Sequence, residues 1–196
     1  MTQALRIVVA DDEPDVRDYY CKILPRLGHI VAAAAVSGEE LIDLCRTHRP
    51  DLVLTDIKMP GLDGIDAAKL IYEEMPVPVI LVSAYSDAKL IERAEADHIM
   101  SYLVKPIKQA DLEPAIGLAM RRFEQFEALR REAADMRQAL EDRKIIERAK
   151  GVLMKELGLS ESDAFRRLQK TASSKNLKLI ELARLTLSLT NAGPSA

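Results

Sequence analysis

The sequence predicts an α/β fold, a doubly wound five-stranded parallel sheet, followed by an all-α module reached through a long linking helix. Short apolar runs recur through the first half: LRIVVA at 5–10, IVAAAA at 30–35, LVLT at 52–55, PVILVS at 78–83 and SYLV at 101–104. Each is nearly continuous rather than alternating, as expected of strands buried on both faces in a parallel sheet covered by helices. Amphipathic segments separate these runs, so the first half reads as five βα repeats. From Gln109 onward the strand signals stop and helical ones continue almost to the end.

Local punctuation supports each helix. Pro14 suits a helix start and Gly28 a helix end, while Ser37 and Glu40 form a capping box ahead of an apolar face containing Leu41, Leu44 and Cys45. Asp111 to Arg148 has no Pro after Pro114 and a single Gly, Gly117, which predicts a long helix. Along it Phe126, Leu129, Ala133, Met136 and Leu140 follow a 3-4 spacing. That stripe reads either as a short coiled-coil seam for a partner chain or as a face packed on the chain's own helices. Gly158 ends a following helix, and Ser160 with Asp163 caps the next. Asn176 marks a turn before the last helix, LKLIELARLTLSL, and the tail NAGPSA is expected to be disordered.

Composition narrows the function classes. The chain has 196 residues, 48% apolar and 30% charged, with eight aromatic side chains and no Trp. No apolar run approaches a membrane span, and the N-terminus lacks a basic leader, so a cytoplasmic protein is expected. Cys21 and Cys45 lie inside helical patterns and read as thiols rather than a disulfide or metal pair, and His29, His48 and His98 are isolated. Residues 1–120 carry 12 basic and 20 acidic side chains, whereas 121–196 carry 16 basic and 11 acidic. A basic half on an acidic one is expected when only the C-terminal part meets a polyanion, although a solvated helical surface is the alternative.

In an open parallel sheet, ligands bind at the carboxyl ends of the strands. The residues there form a chemical set: Asp11, Asp12 and Glu13 after the first strand, Asp56 after the third, Ser83 after the fourth, and Lys105 with Pro106 after the fifth. Converging carboxylates repel one another and are tolerated when an oxygen-preferring divalent cation sits among them, with Mg²⁺ the natural candidate. A lysine and a hydroxyl beside it complete a site for a phosphoryl group.

The pair at Asp11 and Asp12, the string DIKMPGLDG from Asp56, the Ser83-Ala84 pair and the Lys105-Pro106 pair resemble, in order, the receiver domains of bacterial response regulators over about 115 residues. The resemblance implies a flavodoxin-like fold with Asp56 as phosphoacceptor for a sensor histidine kinase, and no enzymatic turnover beyond slow self-dephosphorylation. It implies Mg²⁺ held by Asp12, Asp56 and the backbone carbonyl of Lys58, with Asp11 helping through water; Glu13 is left outside that set. It implies that Lys105 pairs with the phosphoryl oxygens, that Ser83 donates a hydrogen bond to one, and that Tyr102 turns inward on activation. A cis peptide before Pro106 also follows. Met59, Pro60, Gly61 and Gly64 are read as shaping the loop after Asp56.

Residues 143–178 hold ten Lys or Arg against four Asp or Glu. The segments IIERAKGVLM at 145–154, GLSESDAFRRL at 158–168 and ASSKNLKL at 172–179 resemble the ANTAR domain, the RNA-binding module of AmiR and NasR type antiterminators. That implies binding of stem-loops in nascent transcripts. By position, Lys144, Arg148 and Lys150 from one helix and Arg166, Arg167 and Lys170 from the next are the candidate RNA-facing set. Phe165 is the only aromatic after 126, so folded-RNA shape, loop edges and phosphates fit better than stacking of several bases. The expected layout is a receiver at 1–118, a linking helix or coiled coil at 119–141, the RNA-binding domain at 142–190 and a tail at 191–196, with homodimerisation on activation. Two other outputs compete: a DNA-binding helix-turn-helix, which KELGLSESDAFRRL could mimic, and a protein-interaction module built on the long helix. An enzymatic output has no support, because the second half lacks His, Cys and a Gly-rich phosphate loop.

Overall fold

The computed structural model describes residues 4–84 and 99–191. His98, the segment that would carry the fourth βα helix, and residues 192–196 of the expected tail lie outside that range. The chain forms two compact units, Met1–Glu127 and Ala128–Ala196.

The first unit holds β1 (Arg6–Ala10), α1 (Pro14–Arg26), β2 (Ile30–Ala35), α2 (Gly38–His48), β3 (Leu52–Asp56), α3 (Gly64–Glu74), β4 (Val79–Ser83), β5 (Ser101–Val104) and the start of α4 (Gln109–Leu157). The five strands form one sheet, ordered β2-β1-β3-β4-β5, and every neighbouring pair is parallel. Side chains alternate between its faces. Val8, Ala10, Val53 and Leu81 pack with Leu41 and Ile42 of α2 and Ile65 and Ile71 of α3. Ile7, Val9, Leu52, Leu54, Ile80 and Val82 pack with Tyr20 and Leu24 of α1 and Leu112, Ile116 and Ala119 of α4. Both faces of the central strands β1, β3 and β4 are therefore dry, which is why these read as continuous apolar runs, whereas the edge strands β2 and β5 are only partly buried; each fully buried aliphatic contributes about 1.5 to 3 kcal/mol.

The caps are largely those expected. Pro14 opens α1, and Gly28 follows its end at φ 85°. Ser37 Oγ accepts from Glu40 N–H at 3.3 Å, but the Glu40 carboxylate takes the N–H of Val36, at 2.7 Å, rather than that of the cap residue itself. Tyr72 of α3 donates to Glu127 at 3.0 Å and meets the Phe126 ring edge-on at 6.3 Å. Phe126 thus has a partner inside its own chain. Leu129, Met136 and Leu140 remain exposed, at 66%, 63% and 55%.

The second unit contains the end of α4, α5 (Glu161–Ser174) and α6 (Leu179–Asn191). Ala149, Leu168, Ala172, Leu182 and Ala183 form its core, flanked by Ile145, Ile146, Leu153, Leu179 and Leu187. Alanines at three of these positions allow the helices to approach closely. Ser160 caps α5 by accepting from Asp163 N–H at 3.2 Å. Asn176, at φ 52°, makes the turn into α6. Two sequence expectations need correction. The long helix and the one predicted to end at Gly158 are a single helix, α4, because Ala149 and Leu153 anchor that stretch in the core and Gly151 alone costs only about 1 kcal/mol. Asn191, placed in the tail by sequence, is the last residue of α6.

His29 is buried and its Nδ1 accepts the N–H of Leu5 at 3.3 Å, which requires the neutral ring. Burial lowers its pKa below the ordinary value, opposed in part by the charge of Glu113. The depressed folded pKa means that this stabilisation is intact above about pH 6.5 and is lost as the pH falls. Urea unfolding followed from about pH 7.5 to about pH 5.5 should cost the wild-type protein more stability than His29→Gln. Equal losses would contradict the assignment.

Candidate functional site

Parallel strands deliver their carboxyl ends to one edge, and the register decides which side chains meet there. Ala10 lies opposite Thr55, so Asp11 falls beside Asp56, and Ser83 lies opposite Val104, so Lys105 follows beside both. The Lys105 ammonium is 2.6 Å from Asp56 Oδ2, 2.8 Å from Asp11 Oδ2 and 3.3 Å from Glu13 Oε1. Asp11, Asp56 and Ser83 are all buried. Backbone donors fix the carboxylates: Glu13 N–H donates to Asp11 Oδ1 at 3.0 Å and Lys58 N–H to Asp56 Oδ1 at 3.3 Å. The Lys105-Pro106 peptide is cis, and Lys105 N–H donates to Ser83 O at 2.8 Å. Tyr102, opposite Leu81, is half-buried against the α2 and α3 face.

The loop after Asp56 tolerates little else than its own residues. A Cβ on Gly64 would sit 1.9 Å from the carbonyl oxygen of Asp56, and Gly64 N–H donates to Ile57 O at 2.9 Å, closing the loop tightly around the acceptor residue. Thr55 Oγ1 donates to the same Asp56 oxygen at 2.9 Å.

Burial dominates the electrostatics of Asp11 and raises its pKa, against the hydrogen bonds from Lys105 and from Glu13 N–H. Burial alone would lower the Lys105 ammonium, but its hydrogen bonds to Asp11 and Asp56 and their charges outweigh that and hold it above its usual value. Carboxylate oxygens of Asp11, Asp12, Glu13 and Asp56 all lie within 4.8 Å of one another. Asp11 Oδ2 is buried with the Lys105 ammonium 2.8 Å away, a single contact that leaves lone-pair capacity to spare. Hard oxygen donors with spare buried lone pairs fit a hard divalent cation.

Glu13, grouped with this edge by sequence but left out of the ligand set, brings its carboxylate into the cluster. One residue of the edge escapes sequence reasoning. Arg17, one turn into α1, donates from Nη1 to the carbonyls of Asp11 at 2.7 Å and Asp12 at 2.9 Å, and so holds the acidic loop by its backbone. Only its spacing of five to six residues from the acidic pair could have hinted at that.

In the second unit, Lys144, Arg148, Arg166, Arg167 and Lys170 are exposed. Lys144 pairs with Glu141 at 2.7 Å and Arg166 with Asp163 at 3.7 Å. Lys144 and Arg148 share one helix face, as do Arg166 and Lys170, by their spacing of four. Lys150 departs from the expectation that it faces outward. It is 7% exposed, and its ammonium lies 2.5 Å from Glu147 Oε2 and 2.7 Å from Glu161 Oε1. Its helical position, next to the core residue Ala149, carries it inward.

Comparison with known proteins agrees with both halves. The response regulator receiver domain matches residues 7–117, and the ANTAR domain matches residues 134–185. The chain belongs to the response-regulator family, with a receiver domain followed by an ANTAR domain. It is 40% identical over 182 residues to the transcriptional regulatory protein PdtaR of Mycobacterium tuberculosis, covering 93% of this chain and 89% of that one. The response regulator domain of Thermotoga maritima CheB superposes with a TM-score of 0.57 at 28% identity, over 61% of this chain and 98% of that one. The receiver domain of NarL from Mycobacterium tuberculosis gives 0.54 at 29%, over 59% and 99%. A protein-glutamate methylesterase of Natronomonas pharaonis is 36% identical over 125 residues, but these cover only 34% of that enzyme. Among the described residues no helix is long and apolar enough to cross a membrane.

Proposed function

We infer that the protein is a phosphorylation-controlled response regulator that binds RNA stem-loops and promotes transcription antitermination. One observation carries the reading: a lysine, buried carboxylates and a buried serine converge at the sheet edge in a chain that continues into an ANTAR domain with exposed basic helix faces. A duplex-DNA or protein-interaction output is not favoured by the ANTAR match.

Asp56 is the nucleophile. Its carboxylate oxygen attacks the phosphorus of a phosphohistidine on the sensor kinase, the O–P bond forms, and the P–N bond breaks with its electron pair returning to the imidazole. Lys105, already 2.6 Å from Asp56 Oδ2, stays to pair with the phosphoryl oxygens, and the Ser83 hydroxyl donates to one of them. Asp11, Asp12, Asp56 and the Lys58 carbonyl would hold Mg²⁺, with Glu13 nearby. When bound, that ion offsets negative charge on the transferring group. Tyr102 is the group that reports the new charge by turning inward.

On the output side, Lys144, Arg148, Arg166, Arg167 and Lys170 meet RNA phosphates. Exposed Leu129, Met136 and Leu140 support a homodimer formed along α4 on activation, since no part of the described chain covers them.

Asp56→Asn should abolish phosphoryl transfer from a cognate histidine kinase, measured as radiolabel retained on the protein; labelling at the wild-type rate would remove Asp56 from its role. Lys105→Ala should keep the label but lose the response of RNA affinity to it. Arg166→Ala with Arg167→Ala should weaken binding to hairpins of every sequence and flatten the dependence of log affinity on log salt by about one to two in slope. Equal or tighter affinity of the wild-type protein for duplex DNA would overturn the RNA assignment.

A further inference from the structure

Tyr20 of α1 is fully buried, yet its hydroxyl has no hydrogen-bond partner among the described residues. Its ring packs in the core on the α1 and α4 side of the sheet, with Ile7, Val9, Leu52 and Leu54. A Phe would fill that space without burying an orphaned polar atom, so the hydroxyl calls for an explanation. Strand periodicity supplies its surroundings. Alternate residues share a face, so Asp11 follows Ile7 and Val9, and Asp56 follows Leu52 and Leu54, on the same side as Tyr20. α1 joins the parallel strands β1 and β2, so it starts at their carboxyl ends and returns the chain to the other edge. Long helical side chains lean toward the helix N-terminus, which here is the edge that carries the acids. The phenol therefore reaches toward the carboxylates from the core side. Electrostatics agrees: burial first, then the charges of Asp11 and Asp56, push the phenol above its ordinary value and leave it a proton donor.

At rest the buried carboxylate already has another donor. Lys105 lies 2.8 Å from Asp11 Oδ2, 2.6 Å from Asp56 Oδ2 and 3.3 Å from Glu13 Oε1, one carboxylate for each of its three N–H groups. A phosphoryl group on Asp56 brings three further acceptor oxygens to that ammonium. Lys105 cannot serve them and keep all three carboxylates. Glu13, with its side chain 64% exposed, can turn to water, whereas Asp11 is fully buried and needs a donor from within the protein.

Building on the assignment of Asp56 as phosphoacceptor, we propose that Tyr20 is a positioning residue for the phosphorylated state: as Lys105 turns to the phosphoryl oxygens, the Tyr20 hydroxyl donates to Asp11 Oδ2 and holds that carboxylate at the cation site. The donor orphaned at rest becomes the partner of a buried acceptor after transfer. Tyr102 packs with the α2 and α3 cluster on the opposite face of the sheet, so Tyr20 acts from the side that Tyr102 does not reach.

The test uses the full-length protein with Mg²⁺ and beryllofluoride, an inorganic analogue of the phosphoryl group. Tyr20→Phe keeps the ring and should leave the resting protein at least as stable to urea. It should weaken beryllofluoride binding about tenfold, the order that one hydrogen bond to a charged acceptor supplies. In an Asp11→Ala background the same substitution should change affinity by about twofold or less, because the acceptor is gone. The wild-type chain gives a second readout that no substitution can disturb. With tyrosine labelled by ¹³C at Cζ, the Tyr20 resonance, assigned through its contacts in the core, should move downfield on adding beryllofluoride as the phenol gains an acceptor. Wild-type affinity in Tyr20→Phe, equal weakening with and without Asp11, or a Tyr20 resonance that stays in place would each overturn the proposal. So would a resting Tyr20→Phe protein less stable than wild type, since the hydroxyl would then have a partner already. Beryllofluoride binding without these effects removes the role of Tyr20 alone, whereas no binding to wild type, or undiminished binding to Asp56→Asn, removes the phosphoacceptor assignment beneath it as well.

Discussion

The receiver edge depends on one ammonium. Four carboxylates gather within 4.8 Å of one another, and the Lys105 Nζ lies against three of them. At about 4 Å each unscreened like-charge pair near a protein surface costs on the order of 4 kcal/mol, so the cluster stands only because a cation sits inside it. Lys105 supplies part of that offset, and an oxygen-preferring divalent ion would supply more. Everything around the edge serves to hold these groups: the parallel register that aligns four strand ends, Arg17 clamping the acidic loop by its carbonyls, and Gly64 allowing the backbone to close on Asp56. An arrangement that tolerates repulsion in this way is also one that changes when charge is added: converting the Asp56 carboxylate to an acyl phosphate would exchange one negative charge for close to two and redistribute the contacts of Lys105.

The sheet was legible because burial on both faces removes alternation: Val8 and Val9 point to opposite cores and are both apolar. Convergence at the edge was equally legible, since parallel strands place their ends together whatever lies between them. Contacts between elements distant in sequence were harder. Nothing local in FEQFEALR tells that Phe126 meets Tyr72, fifty-four positions earlier, so the apolar stripe looked longer than its exposed part. Continuity of α4 was hidden for a related reason, as Gly151 weakens the local signal while the packing of Ala149 and Leu153 restores the helix.

Lys150 shows the same limit in the output half. A lysine among Arg148, Lys155 and other bases looks like one more solvent cation; its i,i+3 spacing from Glu147 is local, but only the third dimension adds Glu161. Net charge pointed to the half that carries the ANTAR domain, and the faces of α4 and α5 separate exposed cations from a buried one. A receiver that adds charge and an output that reads RNA share one continuous helix, whose first turns follow shortly after Lys105 and whose last turns carry Lys144 and Arg148. A switch of this kind needs a sizeable bias: moving from about 1% to about 99% active takes roughly 5.5 kcal/mol.

The most direct measurement is the affinity of the full-length protein for a single hairpin RNA, taken with Asp56 quantitatively phosphorylated and again with it bare, while sedimentation reports the mass of the complex. Phosphorylation control predicts tighter binding in the phosphorylated state, with two protein chains per complex where the exposed Leu129 to Leu140 stripe closes on a second copy. Identical affinities in the two states would contradict it.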